Sequence, residues 1–281
     1  MRKTRTCTGS NLNTGVSKCH LDPEKVKGAI LVPHGVKLPA EFTATKAKEL
    51  CHADRPERIY PILPFVEFAK NGGEPQVAAN GYGPSQMTGI SALTYTFTMD
   101  KFYPELNASL TKTANKAWDA YFYDEKNVIY GLNDGTDTLT GIPMSTVYST
   151  PTPHPTSSAA ATMDVSFAFE DARYYFENMD FVQLDFAIAR AIVGLTPVEL
   201  VKAGTTGNDY KLLEKVGGYD LTSTYGKLLA DNANLITGGA SGVTYNESTE
   251  TLTIATTGSV VPALKAPSAL FEAGIEGIEQ V

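Results

Sequence analysis

Between Thr88 and Phe186 apolar and polar positions alternate in short runs, which is the period of a strand. In Gly89–Asp100 the alternation sets Leu93, Tyr95, Phe97 and Met99 on one face and Thr94, Thr96 and Thr98 on the other. Ala120–Gly131 reads as a hairpin turning at Glu125-Lys126-Asn127. Met163–Phe169 and the stretch from Tyr175 to Phe186 add further strand-like runs. Strands of this kind build sheets with one wet face and spare edges.

Two segments carry a helical period instead. Phe102–Trp118 repeats Leu106, Leu110, Ala114 and Ala117 at three- and four-residue steps, with Lys112 and Lys116 outward. Thr43–His52 is a short helix capped at or near Thr43 and closed off by Pro56. Ala29–Pro33 is a short apolar strand. Pro61, Pro64 and Pro75, with Gly72-Gly73, predict an extended, loopy course for residues 59–85. Asn133–Asp137 is a polar turn. Ser149–Ser158 holds three prolines and is expected to project as an extended loop without ladder hydrogen bonds. Beyond Pro197 there is no Trp, Cys, His or Met. There Thr244–Ile254 reads as strand–turn–strand with Leu252 and Ile254 on one face, Ser268–Phe271 as a short helix, and Ile275–Glu279 as a last strand or tail.

The expected fold is therefore mainly β: a β-sandwich or barrel with a flanking helix, α+β in detail, with an extended N-terminal arm and a small C-terminal β-domain. The expected divisions are an arm with a short helix at residues 1–58, a main β-domain at 59–197, and a β-domain or extension at 198–281.

Composition sharpens this. Only 19% of residues are charged, and hydrophobic residues make up 42%, enough for a real core. Residues 1–80 carry 12 Lys and Arg against 8 Asp and Glu, whereas residues 81–200 carry 6 against 14. A basic arm could thus lie on an acidic body of a neighbour. The acidic body argues against sequence-specific nucleic-acid binding. No run approaches 18 apolar residues, so no membrane partner is expected. No apolar run follows the basic start, so no secretory signal is expected.

Candidate chemistry is sparse. Cys7, Cys19, His20, Cys51 and His52 have the ligand types of a zinc site, but no Cys-x-x-Cys pair; the competing reading is three free thiols. His34 and His154 have no sequence-adjacent nucleophile or carboxylate. Glu170-Asp171 and Asp180 with Asp185 could be paired catalytic carboxylates or an acidic solvent face. Trp118, Tyr121, Tyr123, Tyr174 and Tyr175 could stack on sugars or fill a core. No phosphate-loop, dinucleotide or nucleophile-elbow motif occurs. The expectation is a non-enzyme without a cofactor.

The order of elements resembles that of tailed-bacteriophage tail tube (major tail) proteins. The matching features are the irregular arm, the Thr88–Asp100 strand, the Phe102–Trp118 helix, the Ala120–Leu132 hairpin, the long loop before Ala159–Phe169 and the appended β-domain. The resemblance implies a virion structural protein made in the host cytoplasm. It implies self-assembly into stacked hexameric rings around a DNA channel, contact with other virion proteins, and only transient, non-specific contact with DNA. Asp124, Glu125, Asp134 and Asp137 are the expected channel-facing carboxylates, since a negative lumen repels phosphates. The alternatives are a capsid decoration or head–tail joining protein and, from another class, a carbohydrate-binding β-sandwich adhesin.

Overall fold

The strand Trp118–Asp124 is buried at every position, which a sheet with one wet face does not allow. In this computed structural model, which describes residues 23–79, 81–158, 160–204, 207–238, 240–256 and 261–281, that strand lies inside a mainly β protein with flanking helices. The chain divides into two compact units: one holds residues up to Ala47 and Ile59–Ile192, the other Lys48–Arg58 and Val193–Val281.

The first unit runs β1 (Val26–Pro33), the start of α1 (Ala44–His52), β2 (Tyr60–Ile62), β3 (Phe65–Gly72), β4 (Pro75–Ala79), β5 (Ser85–Ile90), β6 (Leu93–Met99), α2 (Pro104–Thr113), β7 (Trp118–Asp124) and β8 (Val128–Asn133). It continues with β9 (Leu139–Thr140), β10 (Ile142–Thr152), β11 (Thr162–Phe169), α3 (Ala172–Asn178), β12 (Met179–Gln183) and α4 (Ile188–Ala191). Its main sheet is ordered β12-β8-β7-β10-β11-β6-β3, with β1 also on β7. β1 runs the length of one edge of β7, from Val26 opposite Asp124 to Pro33 opposite Trp118. β8 and β10 share the other edge.

β7 is buried on both faces as well as paired on both edges. Trp118, Ala120 and Phe122 enter the main core with Phe65, Phe97 and Phe167. Tyr121 and Tyr123, the alternate residues, are also fully buried. The core is built of rings: Phe65 stacks on Phe97 at 4.5 Å, and Phe122 meets Phe167 edge-on at 5.1 Å. Such pairs add about 0.5–1.5 kcal/mol each beyond area burial.

Several expectations hold in detail. In β6, Leu93, Phe97 and Met99 are buried and Tyr95 packs against the same core. The β7–β8 turn falls at Glu125-Lys126-Asn127, with Asn127 at φ 62°. The Thr43 hydroxyl accepts the Lys46 amide at the start of α1.

Others are corrected. Residues 175–178 are helical: the Asp171 side chain caps α3 by accepting the Tyr174 N–H at 2.9 Å, which outweighs the strand preference of Tyr174-Tyr175-Phe176. Residues 59–85 are extended but paired, as β2, β3 and the β4–β5 hairpin. The chain turns out of β3 at Gly72 (φ +76°), where a Cβ would sit 1.8 Å from the Ala92 carbonyl oxygen. The predicted helix at 102–118 stops at Thr113, and Trp118 already belongs to β7. β10 runs on to Thr152, through Pro151 opposite Met163. Past Met144 it pairs with β11 alone, which leaves one side where a missing amide is harmless. Val26–Pro33, assigned by sequence to an arm, is an inner strand.

The second unit contains the end of α1, β13 (Thr196–Lys202), β14 (Asp209–Glu214), α5 (Thr222–Asp231), a 3-10 turn (Ala233–Leu235), β15 (Ile236–Thr237), β16 (Ala240–Asn246), β17 (Thr251–Thr256), β18 (Ala263–Leu264), α6 (Pro267–Glu272) and β19 (Ile278–Gln280). Its sheet is ordered β16-β17-β14-β13-β19, with β13 and β19 parallel. α5 covers this sheet, burying Leu229 among Leu212, Leu252 and Ile254. Residues 48–58 are tied into the unit by side chains. The Arg58 guanidinium meets Glu279 at 2.7 Å, with only 5% of the Arg58 side chain exposed.

Candidate functional site

Of the five residues weighed as zinc ligands, only Cys51 and His52 fall among the described residues. Cys7, Cys19 and His20 lie outside the described residues. Cys51 is buried, and desolvation pushes its thiol up to about 11, so it is neither a thiolate nor a ready ligand. His52 is committed to the fold. Its Nδ1 lies 2.8 Å from the Lys48 carbonyl oxygen, and its Nε2 accepts the Gly277 N–H at 2.8 Å. That pair of partners selects the neutral Nδ1–H ring, which stacks on Phe271. Among the described residues no cluster of three or more His, Cys, Asp or Glu could hold a metal.

The four carboxylates expected to face a channel separate into two kinds. Asp124 is 2% exposed. It accepts the Lys126 and Val128 amides at 2.9 Å each and the Tyr130 hydroxyl at 2.7 Å. It is a structural anchor of the β7–β8 turn and unsuited to a channel wall. Glu125, Asp134 and Asp137 are at the surface. Glu125 stands 3.7 Å from Lys27. Asp134 accepts from Lys37 at 2.6 Å and from Thr136, which holds its carboxyl well below the usual carboxylate range.

Of the paired carboxylates, Asp180 and Asp185 differ in exposure, while Glu170 and Asp171 line one cleft. Asp180 is buried in β12, Asp185 lies exposed beyond it, and Asp171 caps α3. Of the five aromatics proposed for sugar stacking, Trp118, Tyr121, Tyr123 and Tyr175 are buried and Tyr174 alone is exposed.

Two surface features remain, both in the first unit. The larger is the β4–β5 hairpin. Its described residues are exposed except Gly89 and Ile90, which are half-buried. Val77 and Met87 are more than half exposed, and Tyr82 at the tip is fully so. Residues 75–99 contain no Asp, Glu, Lys, Arg or His. The hairpin follows directly on β3, an end strand of the main sheet whose described ladder partner is β6. Val66 and Phe68 of β3 are also more than half exposed.

The smaller feature is a cleft of about 350 Å³ lined by His34, Leu132, Ile142, Pro143, Glu170, Asp171, Tyr174 and Tyr175. The antiparallel β1–β7 register sets Asp119 opposite Val32, two residues before His34, and so brings the two side chains to the same end of the strand pair. The His34 Nδ1 lies 2.8 Å from Asp119 Oδ1, and the Gly35 amide donates to Oδ2 at 2.9 Å. The hydrogen bond to Asp119, and more weakly Glu170, raises the His34 pKa. Sequence reading missed this pair because 85 positions separate its members; only the strand register brings them together.

The sign of that shift gives a prediction. A raised His34 pKa stabilises the fold fully below its unfolded value of about 6.5, and the gain is lost as pH rises through the folded value. The ring is 57% exposed, so screening limits the gain to a few tenths of a kcal/mol. His34→Ala is therefore expected to cost more at about pH 5.5 than at about pH 8.5, as read from urea midpoints. Equal costs at both would show that the pair contributes no charge interaction.

No protein-family model and no curated protein matches this chain.

Proposed function

We propose that the protein is a self-assembling virion structural subunit, best read as a tail tube protein whose copies form stacked rings around a DNA channel. The β4–β5 hairpin beside the exposed β3 edge carries this reading. A two-stranded ribbon on its own is marginal in water. A charge-free ribbon with Val77, Tyr82 and Met87 outward lacks the charges by which edges are normally protected. Burial against another copy would stabilise it, with Val77 and Met87 each contributing about 1.5–3 kcal/mol when fully covered. Head-to-tail contacts of this kind close into rings or extend into tubes.

The channel lining proposed for such a ring narrows to Glu125, Asp134 and Asp137, since Asp124 is enclosed. Partners on this reading are further copies of the chain, other virion proteins and, transiently, DNA.

Negative-stain microscopy of the purified chain tests the proposal, with rings or tubes as the expected result. The double variant Val77→Lys, Met87→Lys places cations on the hairpin and should abolish assembly while leaving the far-UV circular dichroism unchanged. A monomer at all concentrations, or a double variant that assembles like wild type, would overturn the reading.

A further inference from the structure

We propose that the cleft between His34 and Tyr174 receives a cationic side chain from the basic N-terminal segment of this chain, residues 1–22. The lining suits a lysine or arginine. Pro143, half-buried, and the exposed ring of Tyr174 offer apolar surface for a methylene stem over the buried Ile142, and such side chains bury their stems while their heads stay polar. Glu170 stands at the same cleft, exposed. Its backbone amide donates to the Pro143 carbonyl, which fixes the residue in place. Among the described residues its carboxylate has no hydrogen-bond or salt-bridge partner. With Asp119 and Asp171 it leaves the cleft net negative even when His34 is charged.

The occupant follows from charge and reach. Residues 1–22 hold Arg2, Lys3, Arg5 and Lys18 against Asp22 alone. They join the described chain at Pro23, next to Glu24, whose amide approaches Asp124 at the far end of β1 from His34. Eight strand residues separate the two ends, roughly 26 Å at about 3.3 Å each. Twenty-two residues can span well beyond that distance.

His34 sets the pH at which the cleft is open to a cation. The titratable groups facing it are Asp119 from β7 and, ahead of and within α3, Glu170, Asp171, Tyr174 and Tyr175. As imidazolium it repels a cationic guest; as neutral imidazole it does not. Occupancy therefore rises with pH.

The test uses the full chain carrying Arg2→Glu, Lys3→Glu and Arg5→Glu, isotopically labelled, and a synthetic hexapeptide of residues 1–6. Saturable chemical-shift changes at Ile142, Tyr174 and His34 are expected. Glu170→Gln, at an exposed position that leaves folding intact, should weaken binding about fivefold, the scale of a partly exposed ion pair. Binding should tighten between about pH 6 and pH 8, and His34→Gln should flatten that profile. Shifts that do not saturate, shifts centred elsewhere, or equal affinity for Glu170→Gln would overturn the proposal. A pH profile unchanged by His34→Gln would remove His34 from it.

Discussion

A chain ended at Ile192 is expected to accumulate in the insoluble fraction, although it retains every strand of the main sheet. Composition places a break after Pro197 and suggests that the part before it stands alone. The structure assigns Lys48–Arg58 to the second unit, and the contacts explain the consequence. Without residues 193–281, His52 loses the Gly277 amide and the Phe271 ring, and Arg58 loses Glu279. Cys51, His52 and Arg58, each at most 4% exposed in the full chain, would face water without their partners. Soluble yield and gel filtration of the truncated chain check this; a monodisperse, folded product would show that the 48–58 segment tolerates exposure. Arg58→Ala in the full chain isolates one contact. It strands Glu279, and the Ala53 carbonyl that Arg58 also binds at 2.7 Å, and is expected to cost about 3 kcal/mol.

Asp124→Ala should be the most damaging single substitution in the first unit. The carboxylate closes the β7–β8 turn by accepting from Lys126, Val128 and Tyr130 inside a buried environment. Each donor left without an acceptor costs about 1–3 kcal/mol. Relaxation and water entry prevent full addition, so the expected loss is about 3–5 kcal/mol, read as a lower urea midpoint with little change in slope. Asp124→Asn keeps one acceptor oxygen and should fall between the two. A loss below about 1 kcal/mol would show that water replaces the carboxylate freely.

The same residue shows where sequence reading ends. The turn at 125–127 was legible because polar residues interrupt two apolar runs. What the adjacent aspartate does was not, because a carboxylate beside a turn looks alike whether it faces solvent or folds back on three donors. β6 was legible because its two faces differ. β7 is apolar on alternate positions too, but its second face is covered by partners far away in sequence, so the reading of one wet face failed there. α3 carried a visible cap at Asp171 and an Arg173–Glu177 pair at 2.8 Å; three aromatics in a row obscured them. The hairpin at 75–90 was hidden by its prolines and glycines, which mark turns well and short ribbons poorly. Neither the His34–Asp119 pair nor the inclusion of residues 48–58 in the second unit has a local signature, since both depend on long-range register.

The division of the chain also has a consequence in time. A ribosome makes residues 48–58 early, yet their packing partners begin at Val193. At about 5–20 residues per second the gap of some 135 positions takes roughly 7–27 s to translate. During that interval the first unit can form its sheet while this short segment waits on the nascent chain without its partners, open to chaperones and to other unfinished copies. Slowing synthesis of residues 193–281 would lengthen that exposure, so the choice of codons in the last third of the message becomes a determinant of yield.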